Sequence, residues 1–300
     1  MGWKYEALFG TELVAEEGDL SRYWRSEPSG IPVGRMGYRR STTVAGPRLE
    51  CEIYPAFGRE DERKAATAKK NQTKQAQKRL NRRRAVRHLI QLADKNFTER
   101  DIHLTLTYRV APEWGRARKD VRNFLLRVKR FREKRGMEEL KYIYSIEGGH
   151  AKKSGYGMTQ IHVHMIMNGG ISREMLEEMW QYGYANADRL KPNDYGLEEL
   201  ARYIVKENEE RDERDRHGKM WCASRNLKQP KTRKTDAQVS NGKVKVIAKN
   251  IQADVRAEME KMYPSYRFVD CHVYFSDQVD GVYIRVLMRK KGKRMESAYL

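Results

Sequence analysis

Ile161-His162-Val163-His164-Met165-Ile166-Met167, followed by Gly169-Gly170, constrains this chain more than any other stretch. Apolar residues alternate with the two histidines, a period of two that predicts a β-strand. Successive side chains on a strand point to opposite faces, so His162 and His164 emerge side by side. Imidazoles held on rigid strand backbone are a good start for a metal site. The same spacing also suits the wetter face of an ordinary antiparallel sheet, and the pair alone does not separate the two.

The flanking segments supply a context. Ile102-His103-Leu104-Thr105-Leu106-Thr107-Tyr108 alternates cleanly and predicts a second strand. Val121, Phe124, Leu125, Val128 and Phe131 recur at helical spacing, which predicts a helix from Asp120 to a stop at Gly136. Residues 142–146 form a third strand that ends in Glu147, and a connection through Gly155 and Gly157 leads into the histidine strand. Ser172 caps a helix carrying Met175, Leu176, Met179 and Trp180, and residues 185–190 read as a short strand. Leu197, Leu200, Ala201, Ile204 and Val205 make the core stripe of a further helix, with Tyr203 and Lys206 one turn apart beside it. This order predicts an α+β fold: a central, mainly antiparallel sheet of ferredoxin or RNA-recognition type, helices on one face, and the histidine strand in the centre.

A formal charge of +20 and a pI near 9.8 point to a polyanionic partner, and the lack of a long apolar run favours nucleic acid over a membrane. From Arg63 to His88 there are eleven Lys or Arg residues and no acid. Such a run predicts a long basic helix that repels itself unless phosphate neutralises it, with Lys78, Arg79, Arg82, Arg83, Arg84 and Arg87 as DNA contacts. Arg225 and Lys228 join them from a charged segment around Pro230, which reads equally well as a solvated linker. Leu49, Cys51 and Ile53 suggest one half-buried strand in an otherwise loop-like N-terminal part, and Asp280-Gly281 joins two C-terminal strands. The expected organisation is an N-terminal segment (1–58), a basic helix (59–97), a core (98–210), a charged linker (211–245) and an αββ extension (246–300). Three dispersed cysteines and no signal-peptide pattern fit a reducing cytoplasm.

A carboxylate near the two imidazoles completes a three-ligand face for a divalent ion; Glu147 is the first candidate, with His150 and Asp188 as alternatives. Tyrosine, with an ordinary pKa near 10, attacks phosphate only if its proton is removed or its phenolate is stabilised, and Lys206 stands where it would assist Tyr203 or hold the phosphate. The blocks Leu104-Thr105-Leu106-Thr107, His162-Val163-His164 and Tyr203-Ile204-Val205-Lys206, in this order, resemble the rolling-circle replication initiators of bacterial plasmids, phages and integrative elements, members of the HUH endonuclease superfamily. The resemblance implies an HUH-type sheet, His162, His164 and Glu147 as ligands for Mg2+ or Mn2+, and Tyr203 as a nucleophile that nicks single-stranded origin DNA, with Lys206 assisting. It also implies a 5′ phosphotyrosine and a free 3′ hydroxyl for priming. A single tyrosine at the helix position departs from two-tyrosine phage initiators, which leaves water, a second subunit or Glu207 for termination. No phosphate-binding Gly-Lys-Ser/Thr loop occurs, so host helicase and polymerase would be partners. The alternatives are a single-tyrosine transposase and a non-catalytic nucleic-acid-binding protein.

Overall fold

The computed structural model describes residues 38–56, 74–148, 160–206, 219–239, 253–275 and 282–292, with the single positions 63, 67 and 244. In chain order the elements are β1 (Tyr38–Ala45), β2 (Arg48–Pro55), α1 (Lys74–Asn96), β3 (Ile102–Tyr108), α2 (Trp114–Lys134), β4 (Tyr142–Glu147), β5 (His162–Met167) and α3 (Arg173–Trp180). They continue with β6 (Gly183–Arg189), α4 (Glu198–Tyr203), β7 (Cys222–Ala223), β8 (Lys231–Val239), α5 (Ala253–Met262), β9 (Tyr266–Phe275) and β10 (Val282–Lys290). The chain divides into two compact units, Arg83–Gln229 on one hand and Met1–Arg82 with Pro230–Leu300 on the other. The fold class is α+β, as expected, and its strands form two antiparallel five-stranded sheets.

In the unit Arg83–Gln229 the strands run in the order β6-β3-β5-β4-β7, all antiparallel, so the histidine strand β5 is central. The period-2 pattern sorts its faces. Leu104 and Leu106 of β3, Val163 and Met165 of β5 and Ala185 of β6 pack with Val121, Phe124 and Val128 of α2 and with Leu176 and Trp180 of α3. Trp180 is fully buried, edge-on to Tyr108 and Phe124, and its indole N–H donates to the Thr107 carbonyl at 2.9 Å. On the opposite face Ile143 and Ile166 are covered by Leu89, Ile90 and Ala93 of α1 and by Ala201 of α4, leaving the rest of that face polar. Two helical coverings therefore meet the sheet: α2 and α3 across one face, and α1 with α4 over one end of the other.

Several boundaries differ from those read in the sequence. Helix α2 opens at Trp114 rather than Asp120, with Glu113 as its N-cap just after Pro112. The first two turns are mostly charged but continue the stripe through Trp114 and Ala117, which pack with Val121 against the core, and Asp120 is buried against Arg116 Nε at 2.9 Å. Gly136 stops the helix in the left-handed region, and Ser172 caps α3 by accepting from the Met175 N–H, both as predicted. Helix α4 ends at Tyr203, so Lys206 lies in the turn that follows, its N–H bonded to the Tyr203 carbonyl at 3.1 Å, and not on the same helix.

The second unit holds a sheet in the order β8-β1-β2-β10-β9, also antiparallel throughout. Leu49, Cys51 and Ile53 of β2 and Ile284, Val286 and Met288 of β10 pack under Val255 and Met259 of α5. The sequence suggests one strand before residue 56; two are present, because the α5 side of β1 is paved with Arg40, Thr42 and Val44 around Tyr263 and carries too little apolar periodicity to read. Strand β2 is buried on both faces rather than half-buried: Arg48 and Glu50 pair at 2.7 Å, with Arg285 3.5 Å from the same carboxylate. Part of the expected charged linker folds, as β7 beside β4 and β8 beside β1. The Asp280-Gly281 turn, the loop holding His150, and Glu207 lie outside the described residues. Among those described, no helix is long and apolar enough to cross a membrane.

Candidate active site

The polar face of the first sheet is assembled by register. Thr107 and Glu147 stand opposite His162 from either side, and Thr105 and Ser145 stand opposite His164. Because β5 is central, both neighbours present side chains to the histidine pair. Glu147, His162 and His164 each offer one ligand atom, and these atoms all lie within 4.8 Å of one another. Glu147 is 1% exposed and His164 is 3% exposed, while His162 is half-buried at the open side.

Hydrogen bonds outside the cluster orient its donors. His162 Nδ1 lies 2.9 Å from the Gln160 carbonyl oxygen, which can only accept, so Nδ1 is the donor and Nε2 is the nitrogen left to face a ligand. His164 Nδ1 meets Thr105 Oγ1 at 3.3 Å, which again turns Nε2 outward. Burial, with His162 and His103 adding to it, pushes the His164 pKa down to about 3, so this imidazole is neutral and able to ligate at any ordinary pH. Two imidazoles and a carboxylate are a donor set that fits a divalent ion. Of the alternative third ligands, Asp188 stands opposite His103 on β6 and bonds Asn186 at 3.2 Å, apart from this cluster.

Tyr203, at the end of α4, brings its ring to the same place. Its centroid lies 4.9 Å from that of His164 and 6.3 Å from that of His103, and the residue is 52% exposed. The apolar stripe of α4 and the following turn, Ala201, Ile204 and Val205, is buried with Ile166 and α1, which turns Tyr203 toward the histidines instead of the core. Lys206 is exposed in the next turn.

His103 is the member that sequence reasoning did not single out. It stacks on His164 at 5.5 Å, and burial lowers its pKa against the opposing pull of Asp188. The signal was there: His103, Thr105 and Thr107 alternate with the core leucines and so share the face of the histidine pair.

Six of the expected DNA contacts lie along α1. On α1, Lys78, Arg79 and Arg83 are exposed, whereas Arg82, Arg84 and Arg87 are half-buried, and desolvation lowers the Arg82 pKa. Lys228 is pinned through its backbone, its N–H donating to Asn96 Oδ1 at 2.7 Å, with an exposed side chain. Arg225 borders a hollow beside α2.

No curated protein and no solved structure matches the chain. Residues 101–208, over a third of the chain, match the family model of the replication-associated protein ORF2/G2P. That span opens at β3 and runs just past Tyr203, so it contains Glu147, His162, His164, Tyr203 and Lys206, and it supports a role in DNA replication.

Proposed function

We propose that this protein is a site-specific, divalent-metal-dependent endonuclease and strand transferase for single-stranded origin DNA, one that starts rolling-circle replication through a 5′-phosphotyrosine intermediate. The observation that carries this reading is a half-exposed phenol, Tyr203, packed 4.9 Å from a histidine of a two-histidine, one-carboxylate cluster. The match to a replication-associated family over those same residues supports it. His162, His164 and Glu147 hold Mg2+ or Mn2+, which supplies charge neutralisation at the scissile phosphate when bound. Tyr203 Oη attacks the phosphorus and gives up its proton to solvent. The P–O3′ bond breaks, and the departing 3′ oxygen takes up a proton. One phosphodiester is exchanged for another, so the linkage is stored and can be returned to a 3′ hydroxyl. Lys206 places a cation near the phosphate during the transfer. Extension of the freed 3′ end and strand separation fall to a host polymerase and helicase.

The test uses end-labelled single strands covering the DNA around the gene, purified protein and Mn2+. A covalent adduct resistant to denaturant is expected from the wild type and is lost in Tyr203→Phe. His162→Ala also loses it while keeping salt-sensitive binding, because phosphate contacts carry most sequence-independent affinity. Equal adduct yield from Tyr203→Phe would sink the nucleophile assignment. Binding with no adduct from any form would favour a non-catalytic nucleic-acid-binding protein.

A further inference from the structure

Two hollows join along the seam between α2 and the β4 edge of the first sheet, of about 440 and 320 Å3, with Arg122, Leu125 and Tyr142 common to both. The seam exists because β7 is only two residues long and covers Ile143 and Tyr144 alone. Beyond it, β4 is bordered by the strand of chain that carries Lys219, and the second hollow reaches Ser145 and Ile146, immediately before Glu147. Ile146 belongs to the α2 face and Ser145 to the face of the histidine pair, so the second hollow turns around the sheet edge from one face toward the other.

Its lining combines two chemistries. Arg118 and Arg122 from α2, Arg225 from the loop after β7, and Lys219 are all exposed cations, and Glu139 is the one acid among the described lining residues. Between them lie half-buried Trp114, Tyr142 and Tyr144, the two tyrosine rings 6.0 Å apart, and Leu126, exposed to 44%. Cations that follow a backbone, interleaved with aromatic faces, suit single-stranded nucleic acid: phosphates meet the arginines, and unpaired bases offer faces for stacking. A duplex hides those faces in its own stack.

We propose that this groove holds the flank of the DNA strand whose scissile phosphate lies at Tyr203. The inference rests on the nickase reading, and binding without catalysis separates the two. Full-length protein in EDTA is titrated with a fluorescein-labelled oligothymidylate of about 20 nucleotides at several salt concentrations. Each lost phosphate contact removes about 0.7 from the slope of log affinity against log salt for a single strand, so Arg118→Gln with Arg122→Gln and Arg225→Gln should lower the slope by about 2 and weaken binding at least about tenfold. Arg130→Gln with Lys134→Gln and Lys191→Gln removes the same charge from exposed positions outside the groove and should leave the slope near the wild-type value. Equal losses in the two triple variants would overturn the groove, reducing its arginines to general charge. Displacement of the oligonucleotide by polyglutamate from wild type at equal charge would also overturn it, in favour of an acidic protein segment. A protein that forms no adduct yet shows the groove-specific slope change refutes the nickase alone; normal adduct with no slope change refutes the groove alone.

Discussion

Gly148 has a φ of +87°, and a Cβ added there would stand 2.1 Å from the Gln160 carbonyl oxygen. That carbonyl accepts the Nδ1 proton of His162. The single residue after Glu147 thus has to be glycine for two reasons: a left-handed backbone, and room for the group that orients the His162 ring, a candidate ligand. Gly148→Ala, which alters no donor atom, should weaken Mn2+ binding by about tenfold or more in isothermal titration, the scale expected when a metal-binding histidine loses its orienting bond. An unchanged affinity would mean that the carbonyl does not hold the imidazole. Nothing in the sequence marks Gly148, one glycine in a Gly-rich stretch, as different from Gly149 or Gly155.

Strands and helices were legible to different degrees. Strand β3 and the histidine strand could be read from alternation alone, since one face is leucine, valine and methionine and the other is histidine and threonine. Helix α3 showed its stripe, and Tyr203 could be placed beside a core stripe. What escaped were elements whose burial is polar, β1 and the ion-paired side of β2, and the two-residue β7, which is too short to show any period. Apolar periodicity cannot report a strand that is buried through arginine–glutamate pairs and threonine hydroxyls. The apolar residues Leu89, Ile90 and Ala93 were legible at helical spacing after the charged run, but not that α1 would use them to cover the sheet's second face. At this scale the strongest mechanical joint is Trp180, which closes α3 onto β3. Trp180→Ala should cost about 3–5 kcal/mol in urea denaturation, since it both empties a filled site and leaves the Thr107 carbonyl without its donor. A loss below about 1 kcal/mol would show that α3 is not needed to hold the strand.

The whole molecule is two sheets threaded by one chain, and the candidate site belongs entirely to one of them. Arg83–Gln229 has its own core on both faces of its sheet. A fragment spanning residues 74–229 should therefore fold, give a cooperative thermal transition, and bind Mn2+ with affinity close to that of the full chain. A fragment lacking that transition would show that the site depends on the other sheet. The basic charge read from composition is shared by both units; what composition could not reveal is that Arg118, Arg122, Arg225 and Lys219 line one groove.

Strand β2 pairs with β1 on one side and with β10 on the other. During synthesis the β1–β2 hairpin emerges first, yet the neighbour that completes it is made some 230 residues later, roughly 10 to 50 s at about 5–20 residues per second. The intervening segment, with its ligands and tyrosine, leaves the ribosome as a closed unit before that neighbour exists. The nascent chain therefore has the unit of the candidate site complete while one strand edge is still waiting, and the order of the genetic text, not the strength of any contact, sets which half of the protein is finished first.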